Sequence, residues 1–141
     1  MPRTVTVPAA KAALLARLRG LDDLNGVLVE WGLPVRLPQG RERVYLARTV
    51  NLTRRTKGTF RQETYGLELV VEVHRADRDG VQATEERMWE IVTAIEESLV
   101  ADNYLTVVGV VDVFPSDELV YAYSDGWIAR DSVRVDVAAV L

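Results

Sequence analysis

Along residues 63–74 apolar and polar side chains alternate with a period of two. Tyr65, Leu67, Leu69, Val71 and Val73 fall in one set and Gly66, Glu68, Glu72 and His74 in the other, with Val70 as the exception. Successive side chains of a strand point to opposite faces, so this spacing predicts a β-strand with one face in the core and the other mostly wet. A second strand is predicted over 43–52. There Val44, Leu46, Arg48, Val50 and Leu52 share one face, and Tyr45, Ala47, Thr49 and Asn51 share the other. The polar, basic stretch 53–59, which carries Gly58, joins the two runs and reads as the tip of a long β-hairpin.

Two segments follow a helical period instead. Over 7–19, Leu14, Leu15 and Leu18 form a stripe, with Ala10 and Ala13 allowing close approach. Pro8 suits the first turn, Thr6 is a candidate N-cap, Gly20 a stop, and Arg17 and Arg19 favour the negative end of the helix dipole. A second helix is predicted to run through Asp102. Met88, Ile91, Val92, Ile95 and Leu99 form its stripe, Glu85 and Glu86 lie in its first turn, and its glutamates turn outward. Residues 26–31 read as a short strand and 33–40, with two prolines and a glycine, as a loop. A turn is expected over 76–80. Strands are expected over 105–114, 119–123 and 127–140, broken at 115–117 and at Asp125-Gly126, the latter a hairpin signal. The order predicts one α+β domain over 1–141: a mostly antiparallel sheet with two helices packed on one face.

A chain of 141 residues, 48% apolar and 27% charged, is long enough for one real core. It contains no cysteine, which excludes disulfides and thiolate metal sites. It shows no apolar run long enough to span a bilayer and no signal-peptide core near its start, so a soluble protein without a membrane partner is expected. The formal net charge of -4 conceals a polar distribution. Residues 41–61 hold seven basic side chains and one acidic one, whereas 63–125 hold fifteen acidic and three basic ones. Opposite patches on one molecule suit head-to-tail contact between copies.

Candidate chemistry is sparse. His74 is the single histidine, too few for a triad or a two-histidine zinc site, and is expected at the surface. The four serines lack a nucleophile-elbow pattern, and Gly20, Gly26 and Gly32 are too widely spaced for a phosphate cradle. The adjacent acids Asp22-Asp23, Glu85-Glu86, Glu96-Glu97 and Asp117-Glu118 are candidates by adjacency for glycoside chemistry, and Asp77 with Asp79 for the start of a calcium loop. Their positions fit exposed helix faces and turns better. No catalytic residue, metal or cofactor is expected, and no enzyme.

Arg54, Arg55, Lys57 and Arg61 form the one cluster with interaction content. Three readings stay open: a solvated tip, contact with a neighbouring protein, or contact with phosphates. An acidic pI near 5.1 and a single nearby aromatic, Phe60, speak against a dedicated nucleic-acid binder.

Taken in order, several segments carry a resemblance: the helix opening Val7-Pro8-Ala9-Ala10, the Pro/Gly loop before 42–46, the strand over 63–73, the helix over 83–99, and the valine-rich closing strand over 133–137. Together they resemble the tail terminator (tail completion) proteins of long-tailed phages. The resemblance implies a virion structural protein: a hexameric ring that caps the tail tube, ends tube polymerisation and docks on the head-tail connector protein. It also implies assembly in the host cytoplasm, with DNA only as passing cargo in the lumen. The basic hairpin is less typical of the family. Here it is expected to reach a neighbouring subunit or the tail tube, with acidic groups facing the lumen. The alternatives are a head-side connector or stopper protein and a small-ligand-binding α+β domain.

Overall fold

A computed structural model describes residues 6–32, 41–58, 60–76, 80–105, 108–123 and 126–140. The loop expected over 33–40, the Asp77 and Asp79 pair and Asp125 lie outside the described residues.

The elements run α1 (Val7–Arg19), a single 3₁₀ turn (Asp22–Leu24), β1 (Leu28–Glu30), β2 (Glu42–Lys57), β3 (Phe60–Ala76), α2 (Val81–Ala101), β4 (Tyr104–Leu105), β5 (Val108–Tyr123) and β6 (Gly126–Val140). The strands form one six-stranded sheet in the order β1-β2-β3-β6-β5-β4. All pairs are antiparallel except β1 with β2. The predicted α+β class therefore holds, with β3 and β6 at the centre of the sheet.

The helix-facing side of the sheet is the core. Tyr65, Leu67, Leu69, Val71 and Val73 of β3 and Val133, Val135 and Val137 of β6 are buried in alternation. They meet Leu14, Leu15 and Leu18 of α1 and Met88, Ile91, Ile95 and Leu99 of α2. Burying a side chain of this size stabilises by about 1.5–3 kcal/mol, so the paired stripes supply most of the driving force. Arg17 and Arg19 in the last turn of α1 tie that helix down. Arg17 donates to the carbonyls of Asp102 and Tyr104, and Arg19 to the carbonyl of Val29 at 2.8 Å.

Several boundaries differ from the sequence reading, each for a physical reason. The hairpin ladder continues through 53–57 to the Lys57–Phe60 pair, so the tip expected over 53–59 is strand almost to its end. Two register shifts, between Leu46 and Arg48 and between Val50 and Thr53, each place an extra residue in β2. A bulge exchanges the faces of everything beyond it. Val44 and Leu46 accordingly face the core, but Arg48 pairs with Glu68 on the opposite face and does not continue their row. Asn51 sits in the second bulge at φ 55, a conformation that Asn tolerates better than most residues. β5 runs without interruption across the expected break at 115–117, taking it up as a register shift between Pro115 and Glu118, the second in that strand after one between Val110 and Asp112. Pro115 is tolerable there because β4 pairs only with Val108 and Gly109, leaving β5 an edge strand beyond them. Leu105 belongs to β4, not to the long strand. α2 starts at Val81, which moves Glu85 and Glu86 out of its first turn. Thr6 precedes α1 but makes no capping hydrogen bond with its side chain.

The β5–β6 hairpin closes at the Tyr123–Gly126 pair. A Cβ on Gly126 would stand 1.9 Å from the carbonyl oxygen of Arg75 on the neighbouring strand. Because that obstacle is backbone, it cannot rotate away. Gly126→Ala is expected to cost about 2 kcal/mol or more, read as a lower urea midpoint at unchanged slope.

Candidate functional site

The hairpin register divides the predicted basic cluster. Arg54 stands opposite Glu63, Arg55 opposite Gln62, and Thr56 opposite Arg61. Arg54 and Arg61 thus belong to the helix-side face and Arg55 to the other. Arg54 Nε donates to Glu63 Oε2 at 2.9 Å. Arg55 is exposed and Arg61 half-buried. Lys57 enters the ladder, while its side chain lies outside the described residues.

Glu63 is an anchor near the closed end of the hairpin, three residues from Phe60. Its carboxylate is almost fully buried and accepts from the Thr6 N–H at 2.8 Å and the Thr6 hydroxyl at 2.7 Å. Burial alone would raise its pKa, but the hydrogen bonds from Thr6 and Arg54 outweigh it and hold the carboxyl below the usual carboxylate range. The start of α1 and the closed end of the hairpin are therefore tied together.

The sheet face opposite the helices is not the wet face expected. Val70 and Tyr45 are buried there, as are Arg43 and Glu72. Arg43 donates to Glu72 through Nε at 2.8 Å and lies 2.6 Å from it through Nη2. His74 Nε2 lies 3.1 Å from the same carboxylate, the Tyr45 hydroxyl donates at 3.4 Å, and Arg130 Nε stands 3.7 Å away. The Arg43 guanidinium also stacks 5.2 Å from the centre of the Tyr45 ring. Long side chains from β2 and β6 lie across central β3 and cover its polar positions. His74 is consequently a half-buried network member rather than a plain surface residue.

Of the adjacent acids, Glu118 of β5 meets Glu85 of α2, and the hydrogen bond between them pushes Glu118 above the usual carboxylate range. Trp89 Nε1 donates to Glu118 at 3.3 Å. Glu118 is exposed, and among the described residues no group of three or more acids or histidines is placed to hold a metal ion.

Two surfaces remain that could serve contact. The first is the pair of outer strands. β1 covers β2 only at Arg43–Tyr45, and β4 covers β5 only at Val108 and Gly109. Among the described residues nothing pairs with the outer side of β2 from Leu46 to Lys57, about 35 Å of strand. The outer side of β5 from Val110 to Tyr123 is likewise open. Bulges, arginines and Pro115 guard both edges against indiscriminate pairing. The second surface is a groove of about 580 Å³ on the outward side of α2, lined by Asp23, Glu86, Arg87, Trp89, Glu90, Thr93, Ala94 and Glu97. The outward glutamates were legible in the sequence, but the contributions of Asp23 and Trp89 depend on tertiary placement.

No protein-family model and no curated protein matches the sequence. Among solved structures, a chain in the virion of a native gene transfer agent (GTA) particle has the same fold. The TM-score is 0.65 at 18% identity, over 98% of this chain and 98% of that one. No helix among the described residues is long and apolar enough to cross a membrane.

Proposed function

We propose that this chain is a structural virion protein, a tail terminator whose ring, hexameric by family resemblance, caps the tail tube, ends its polymerisation and joins it to the head connector. The observation that carries this reading is the end-to-end fold match with a chain of the GTA virion particle, with neither chain leaving a large unmatched part. The two guarded edges support it. They lie on opposite borders of the sheet, so a neighbour using one leaves the other available. That is a heterologous contact, which closes into a ring when the rotation between copies allows. The protein then has no catalytic task, and its place is the head-tail interface, reached after assembly in the host cytoplasm with DNA passing through the lumen.

Negative-stain electron microscopy of the purified chain, alone and with tail tubes, tests the reading. Rings with a central hole that attach to one tube end and stop its growth are expected. Tubes that lengthen unchanged in its presence would overturn the terminator role. Binding to head connectors without tube binding would favour a head-side stopper instead.

A further inference from the structure

We propose that the β2–β3 hairpin of one copy docks into the α2 groove of the next copy. This rests on the self-assembly reading above and names the surfaces it would use. The groove presents the carboxylates of Asp23, Glu86, Glu90 and Glu97 against one guanidinium, that of Arg87. Arg87 is already committed, donating to Glu42 and Glu90 at 3.0 Å. The lining is therefore strongly acidic, with the half-buried Trp89 ring at its wall. The occupant it fits is cationic and able to present an edge, and the chain carries such a segment at the closed end of the hairpin, which stands beyond the last β3–β6 pair at Gln62. Arg55 and Arg61 sit on opposite faces of a ladder that is regular from Thr53 to its last pair, while Arg54 stays bound to Glu63. Copies of one chain thus carry both halves of a charge-complementary contact.

Self-occupancy is excluded by distance. Arg87 ties the groove to Glu42, the first residue of β2, and Lys57 lies at the other end of that strand. Fifteen steps of extended chain span about 50 Å, somewhat less with two bulges. A hairpin paired to Lys57–Phe60 does not bend back over that length. Only another copy's hairpin can reach the Arg87 end.

The cysteine-free chain allows a clean trap. Thr56 at the hairpin end and Thr93 in the groove are both exposed, and neither carries charge. The Thr56→Cys/Thr93→Cys chain, oxidised with a copper catalyst, is expected to give a ladder of covalent oligomers that reductant collapses. Each single variant can give no species above a dimer. Adding Arg55→Glu and Arg61→Glu is expected to cut the ladder yield about tenfold, and Glu90→Lys with Glu97→Lys in the same chain to restore it. A double variant that stops at dimers overturns the contact. Imaging of the wild-type protein judges the ring separately. Rings without a ladder leave the ring standing and remove the hairpin contact; a ladder without rings supports the contact and overturns closure; neither overturns both.

Discussion

Replacing Glu63 with alanine is expected to lower stability by about 3 kcal/mol, a large effect for one side chain near the end of a hairpin. The variant loses the acceptor for the Thr6 N–H and hydroxyl, both in a buried setting, and the partner of Arg54. An unsatisfied buried donor costs about 1–3 kcal/mol, whereas Arg54, half exposed, returns to water at little cost. Glu63→Gln keeps an acceptor for Thr6 and should recover roughly half of the loss. Urea titration of the three proteins gives the order. The pH dependence has a definite sign. Folded Glu63 releases its proton more readily than the unfolded side chain, so its contribution is complete above the ordinary carboxylate range and fades as pH falls through the lowered value. Glu63→Ala should therefore flatten the acid limb of the stability curve. Equal slopes in wild type and variant would remove the assigned role. Hydrogen exchange adds a spatial reading: the start of α1 and the closed end of the hairpin should lose protection together, because one carboxylate holds both.

What the sequence discloses here is set by how local each signal is. The stripe of Met88, Ile91, Ile95 and Leu99 and the alternation of Tyr65 through Val73 are local periodicities, and both elements stand where those patterns predict. A bulge has no such signature. Ala47 is an ordinary strand residue by type, and nothing in its neighbours says that the ladder skips it; only the pairing with β3 reveals that Arg48 has changed face. Asn51 is a weaker case, since its tolerance of positive φ is a hint visible only once a bulge is suspected. The basic cluster was legible as composition, but its division depends on register, which joins Arg54 to Glu63 nine residues away and leaves Arg55 on the other side. Burial of Glu72 was hidden for a similar reason. Its alternation predicts an outward side chain, which it is, yet the guanidinium of Arg43 and the ring of Tyr45 arrive from the adjacent strand and close over that face. The groove on α2 joins residues of the 3₁₀ turn and the helix some sixty positions apart, beyond the range of any local pattern.

The carboxylate at the centre of that far face supplies the second large effect. Glu72→Leu is expected to destabilise the fold by about 3–4 kcal/mol, because it strands Arg43, a guanidinium only 10% exposed, beside an apolar side chain. His74 and the Tyr45 hydroxyl lose an acceptor in the same step. The pair itself need not be a net source of stability, since taking both charges out of water carries a desolvation penalty that its attraction only partly offsets. That distinction is measurable. Arg43→Met placed on top of Glu72→Leu should recover most of the loss, giving a coupling of about 2 kcal/mol or more in the double-mutant cycle. A double variant as unstable as the single one would mean that the cost lies in packing rather than in the orphaned charge. Acid offers an independent check. Burial raises Glu72, but His74 and Arg43 hold it below the usual carboxylate range, so protonation on acidification withdraws its contribution. The wild type should lose stability as pH falls through that lowered value, while the Met/Leu variant, with no such carboxylate, should lose less over the same interval. If the far face lines a lumen or meets a neighbour in the assembled particle, the Met/Leu variant separates the two demands on it: a chain that folds as firmly as wild type but no longer assembles would show that Arg43 and Glu72 are kept for the contact and not for the fold.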